Sequence, residues 1–139
     1  NSVWLWGGGC GVDDMPHKVY DSVSADEILV EMLAAAADVP FAKWTDQWHA
    51  EPGNGKQLLV WTGLRLALQR GDLAGWRDAL QHFETCYAQP LWQALRSGKI
   101  SRLQLDILGG NNVRRTLLTR ADAWALWRHT KRLADYSMV

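Results

Sequence analysis

The chain of 139 residues balances 15 Lys/Arg against 15 Asp/Glu, with 47% hydrophobic and 22% charged residues. Those values describe one ordinary globular domain with a real core, and exclude a disordered tail or a solubilising acidic or basic arm as a description of the whole. A bilayer-spanning helix is excluded too, because Glu31 interrupts the longest apolar stretch, residues 28–37, well short of the roughly 18 residues required.

Val3-Trp4-Leu5-Trp6 is a short run of β-branched and aromatic residues that stops at Gly7-Gly8-Gly9-Cys10-Gly11, the pattern of a buried strand feeding a loop. Ser24-Ala25-Asp26-Glu27 has the spacing of a capping box, with Val23 and Ile28 placed for a hydrophobic staple, and predicts a helix from about Ala25 to Ala37. Pro40 ends it, since the residue before a proline is pushed out of the helical region. Phe41-Ala42-Lys43-Trp44 reads as a second short strand. Residues 45–57 hold Pro52, Gly53, Asn54 and Gly55 among polar neighbours and are expected to form a mobile loop.

Leu58-Leu59-Val60-Trp61 restarts a buried strand, followed by a short helix that Gly71 closes. Asp72 then caps the longest helical stretch, in which Leu73, Trp76, Leu80, Phe83 and Tyr87 recur at spacings of three and four. Pro90 demands a kink or a new helix start, and Leu91, Trp92 and Leu95 continue the apolar side to Gly98. Residues 102–107 alternate polar and apolar, predicting a strand with one face buried and one in water. Gly109-Gly110-Asn111-Asn112 turns the chain into a hairpin partner over 113–118, and Thr119-Arg120-Ala121-Asp122 opens a final helix by a second capping box. The fold expected is α/β, a single domain over 1–139 with a mixed, partly parallel sheet covered by helices and a C-terminal β-hairpin followed by a helix.

Cys10 and Cys86 are far apart and outside any Cys-x-x-Cys pattern, which argues against a disulfide scaffold or zinc knuckle and fits a reduced, cytoplasmic setting. The first residues lack a start methionine and a basic region ahead of an apolar stretch, so they are not an intact signal peptide and suggest a piece of something longer. The neutral net charge conceals a division: residues 1–70 hold five Lys/Arg against nine Asp/Glu, and residues 71–139 ten against six. Two oppositely charged parts packed with solvated faces is the favoured reading, and nucleic acid is disfavoured as a partner. A homo-oligomer is left open.

Asn1-Ser2-Val3-Trp4-Leu5-Trp6-Gly7-Gly8-Gly9 resembles a signature of the RpfE-type proteins of proteobacteria, a group also described as regulatory or cofactor-independent phosphoglycerate mutase-like. Residues 71–77, 90–95, Gly109-Gly110, and 118–124 with Trp127-Arg128 are similar to that group as well, so the resemblance spans nearly the whole chain. It implies that this chain is the C-terminal part of a longer protein, with an N-terminal half of comparable size as its partner. It does not imply a complete catalytic site. Cofactor-independent mutases use a Ser or Thr nucleophile and two metal ions held by Asp and His, a set not visible here. Cys10-Gly11-Val12-Asp13-Asp14-Met15-Pro16 also stands where the group commonly has Arg-Leu-Pro, so any role of that arginine does not transfer.

Four candidate features follow from the residues. Gly7, Gly8, Gly9 and Cys10 could bring backbone amides close to a phosphate, although neither a nucleotide-triphosphate loop nor a dinucleotide fingerprint is present. Asp13, Asp14 and His17, with His49 from the loop, offer the carboxylate and imidazole ligands that suit a divalent metal. Cys10 is a candidate thiol nucleophile. Arg114, Arg115, Arg120 and Arg128 concentrate positive charge near Trp124 and Trp127, a combination suited to phosphates or single-stranded nucleic acid.

Most of the nine tryptophans fall on predicted strands and helix faces and read as core, leaving Trp44 and Trp48, beside the loop, as contact residues. The expectation is a non-catalytic structural or regulatory C-terminal domain. The alternatives are a metal-assisted phosphoryl-transfer or phosphate-ester hydrolase sharing its site with a missing half, and a module binding nucleic acid or a partner protein through the basic C-terminal helix.

Overall fold

The computed structural model describes residues 17–50, 55–109 and 112–124. The predicted strand at Val3–Trp6, the glycine-rich loop and the final helix beyond Trp124 lie outside them. The fold is α/β, with a three-stranded parallel sheet, helices, and a C-terminal antiparallel hairpin followed by a helix. The described residues divide into two compact units, one of 17–46 and 55–81, the other of 47–50, 82–109 and 112–124.

The first unit opens with β1 (Ser22–Ala25), then α1 (Ile28–Ala36), β2 (Phe41–Lys43), β3 (Gln57–Val60) and α2 (Arg65–Arg70). Its sheet has the order β2-β1-β3, so β1 is paired in parallel on both sides, Val23 with Phe41 and with Leu58. That pairing corrects the expected start of α1. Ser24 lies in the central strand, the helix begins at Ile28 with Glu27 as its N-cap, and no side-chain cap bond forms. Double-sided ladder bonding and the burial of Val23 and Ala25 outweigh the local Ser24–Glu27 motif, and Ile28 is exposed instead of stapled to Val23.

Helix α1 ends as the sequence requires. Asp38 takes a left-handed backbone with φ of 53°, and Val39 returns to bond Ala34 O before Pro40. The small core of this unit is Val23, Ala34 and Val39, with Tyr20, Val30, Ala37, Phe41 and Leu58 packed around it. Helix α2 closes at Gly71, whose φ of 66° gives a left-handed terminus. Asp72 Oδ1 accepts the Gly75 amide and caps α3 (Leu73–Phe83), as its position predicts.

The division between the units falls within α3. The helix runs on through a π-helical turn, Glu84–Ala88, into α4 (Gln89–Ser97), and Pro90 gives no amide to the preceding turn, where the Cys86 carbonyl accepts the Trp48 amide instead. Gly98, with φ of 80°, ends α4. The hairpin of β4 (Arg102–Leu108) and β5 (Val113–Thr119) follows in the register Leu103 opposite Leu118 and Leu105 opposite Thr116. Then comes α5 (Arg120–Ala123), opened by a capping box between Thr119 and Asp122.

Leu95, fully buried, and Ala94, Tyr87, Trp48 and Ala123 are the buried apolar residues of this unit. The hairpin departs from the expected buried face. Among the described residues of the two strands, Leu103, Leu118 and Thr119 are half-buried, Leu105, Ile107 and Leu117 are exposed, and α4 contacts β4.

Candidate functional site

Of the residues singled out from sequence, Gly7, Gly8, Gly9, Cys10, Asp13, Asp14 and Arg128 lie outside the described residues. His17 is exposed and helps line an apolar trough of about 340 Å³ formed with Tyr20, Val30, Leu33, Ala37 and Leu58. His49 is exposed and belongs to the second unit. Among the described residues, no three His, Cys, Asp or Glu side chains are grouped to hold a metal ion. Arg114 and Arg115 are neighbours on β5 and therefore point to opposite faces of the hairpin, and Arg115 is engaged by Asp106. Arg120 is the first residue of α5.

The carboxyl ends of the three parallel strands, where open α/β sheets commonly bind ligands, form an organised edge. Asp26, just past β1, accepts the Thr62 amide on Oδ1 at 3.0 Å and on Oδ2 at 2.9 Å, and the Thr62 hydroxyl on Oδ2 at 3.2 Å. Glu27 pairs with Arg65 at 3.6 Å. Trp44, past β2, and Trp61, past β3, lie near-parallel with ring centroids 6.5 Å apart. Gly63 sits so close to the Trp61 indole that a Cβ there would collide with Nε1 and Cε2. These groups are turned on one another, so they tie the strand ends together. Of the two expected contact residues, Trp48, in the second unit, is buried and Trp44 is half-buried.

A second cluster lies in the other unit. On α4, Trp92 and Arg96 are one turn apart. The Arg96 guanidinium carbon stands 4.5 Å from the ring centroid of Trp124, a cation–π contact. On α5, Arg120 precedes Trp124 by four residues, and its guanidinium lies beside Gly98 at the C-terminus of α4. Trp92 and Trp124 are 37% and 49% exposed, unusual for indoles expected in a core. Arg96, Lys99 and Arg120 are exposed as well. In the sequence Trp92 falls in the apolar stripe of α4 with Leu91 and Leu95, and the signal that sets it apart is Trp-x-x-x-Arg, Trp92 to Arg96, ahead of a basic segment.

One further pairing escaped the sequence reading. Cys86, in the π-helical turn, places its thiol 3.7 Å from His82 Nδ1 one helical turn earlier, and its carbonyl accepts the Trp48 amide at 3.0 Å.

Comparison of the chain with protein-family models, with curated proteins and with solved structures returns no match. Among the described residues, no helix is long and apolar enough to cross a membrane.

Proposed function

We propose that this chain is a structural or regulatory α/β module of a cytoplasmic RpfE-type protein and carries no complete catalytic site of its own. The observation that supports this reading is the surface of α1. Its sequence, Ile-Leu-Val-Glu-Met-Leu-Ala-Ala-Ala, is apolar almost all round. The stripe of Val30, Ala34 and Ala37 packs on the sheet and Leu33 borders the trough beside it, while Ile28, Leu29 and Met32 are each more than half exposed on the other side. A helix of that composition normally has protein on both sides, and a parallel sheet is normally covered on both faces. The module is therefore built to be completed by another part of the same protein, the N-terminal half that the sequence resemblance implies.

The test uses the full-length protein with manganese, assayed for mutase and phosphatase turnover. Background-level turnover, together with solubility rescue of this chain by the co-expressed N-terminal half, is the expected result. Robust turnover that disappears in Asp13→Asn, Asp14→Asn or His17→Gln overturns it in favour of metal-assisted phosphoryl transfer. Unimpaired assembly of a Leu29→Lys/Met32→Lys variant with the N-terminal half overturns the docking role of α1.

A further inference from the structure

The neutral charge of the whole chain, which argues against a polyanionic partner, does not describe the second unit. Its described residues hold six Lys/Arg against three Asp/Glu, whereas those of the first hold six against eight. Of the three acids, Asp106 is bound by Arg115, and Asp122 accepts the Thr119 amide and hydroxyl at 3.0 and 2.7 Å. Among the described residues, Arg96, Lys99 and Arg120 have no carboxylate partner. Arg96 stands over the exposed Trp124 indole, the exposed Trp92 lies one turn back from it on α4, and Arg120 lies beside Gly98 at the end of that helix, next to Lys99 in sequence.

We infer that this surface binds single-stranded nucleic acid. Bases present π faces to the exposed indoles, and phosphates meet guanidinium and ammonium groups that no protein carboxylate neutralises. The spacing suits such a ligand. Trp92 and Arg96 are one helical turn apart, and Arg96 bridges to the Trp124 ring at 4.5 Å, so aromatic and cationic groups alternate along the surface. Trp124 is 49% exposed, and a guanidinium plane such as that of Arg96 can itself stack on a base. Arg120 and Lys99 flank the end of α4 where a backbone phosphate would pass. A polyanion without bases would use the cations alone, whereas a single strand engages cations and indoles together.

The experiment titrates the full-length protein with a labelled oligothymidylate single strand, following fluorescence anisotropy and intrinsic tryptophan quenching at several salt concentrations. Heparin, duplex DNA and thymidine monophosphate are the comparison ligands. Expected are saturable binding with quenching, a log–log salt slope of about −2 for three neutralised phosphates, and roughly tenfold weaker binding for each of Trp92→Ala and Trp124→Ala. Heparin binding should be unchanged in those variants, and Arg70→Gln, in the first unit, should bind like the parent. Because an alanine at either tryptophan could disturb packing, Trp92→Phe and Trp124→Phe are measured too, and should retain most of the affinity. No saturable binding at low salt overturns the inference. So does oligothymidylate affinity unaffected in folded tryptophan variants, or binding of duplex or monophosphate as tight as that of the single strand.

Discussion

Asp106 and Arg115 stand opposite each other in the β4–β5 ladder and form a two-pronged ion pair, Arg115 Nε donating to Oδ1 at 2.9 Å and Nη2 to Oδ2 at 2.8 Å. Gln104 adds a third donor to Oδ2 at 3.0 Å. The Arg115 hydrogen bonds above all hold the Asp106 carboxyl below its ordinary range against an opposing effect of desolvation, with the Gln104 bond and the Arg115 charge adding to the lowering. A carboxyl that titrates lower when folded stabilises fully above its unfolded value, near pH 4, and that contribution disappears as pH falls through the lowered value. Amide protection factors over residues 102–119, taken relative to the intrinsic exchange rate at each pH, should therefore fall on acidification below about pH 4. Asp106→Asn should exchange faster at neutral pH and lose most of that acid response. An unchanged acid response in the variant would remove the pair as its cause.

The three hydrogen bonds from Thr62 to Asp26 join the end of β1 to the chain just past β3, 36 residues apart. Asp26 is exposed, so solvent competes, and Asp26→Ala is expected to cost on the order of 1 kcal/mol. Thr62→Val, which keeps the amide donor and removes only the hydroxyl, should cost less than half as much. Urea midpoints of the two variants decide this. Equal costs would show that the hydroxyl, at 3.2 Å, and not the amide, carries the link.

Gly63 and Trp61 make a steric prediction. A methyl group at Gly63 would overlap the indole of Trp61, so Gly63→Ala must displace that ring and change its stacking on Trp44. Loss of the near-ultraviolet circular dichroism of the tryptophan pair, with far-ultraviolet signal retained, is the expected outcome. The double variant Gly63→Ala/Trp61→Phe, with a smaller ring, should recover stability relative to the single one.

What the sequence made legible and what it hid follow from range. Helix ends written in a few adjacent residues appear as expected: Pro40 after α1, Gly71 after α2, Asp72 before α3, Gly98 after α4, and Thr119 with Asp122 at α5. Strand β1 was hidden because Ser22-Val23-Ser24-Ala25 has weak β composition and overlaps a capping-box pattern. Its partners, Phe41 and Leu58, lie 18 and 35 residues further on. The same limit governed the tryptophans. Helical spacing marks Trp92 and Trp124 as one-sided but not as buried, and only tertiary contacts distinguish them from Trp48, which a loop-like composition presented as accessible. Whole-chain charge likewise cancels a division between units that follows a three-dimensional boundary, with residues 47–50 joining the later part of the chain.

The capping box at α5 links stability to the tryptophan surface. Asp122 reaches back to the Thr119 amide, and the Thr119 side chain completes the box, fixing a helix of only four residues that carries Arg120 and leads directly into Trp124. So short a helix has little intrinsic stability and depends on its cap and on packing against α4. Thr119→Ala should therefore cost about 1 kcal/mol in thermal unfolding. It should also loosen the approach of Arg96 to the Trp124 ring, shifting the Trp124 indole N–H resonance, identified by its absence in Trp124→Phe, toward the position seen in Arg96→Ala. Thr119→Ser, which keeps the hydroxyl, should restore both the stability and the resonance. If Thr119→Ala moved stability without moving that resonance, the Arg96–Trp124 contact would be independent of the cap, and α5 would be held by Ala123 burial instead.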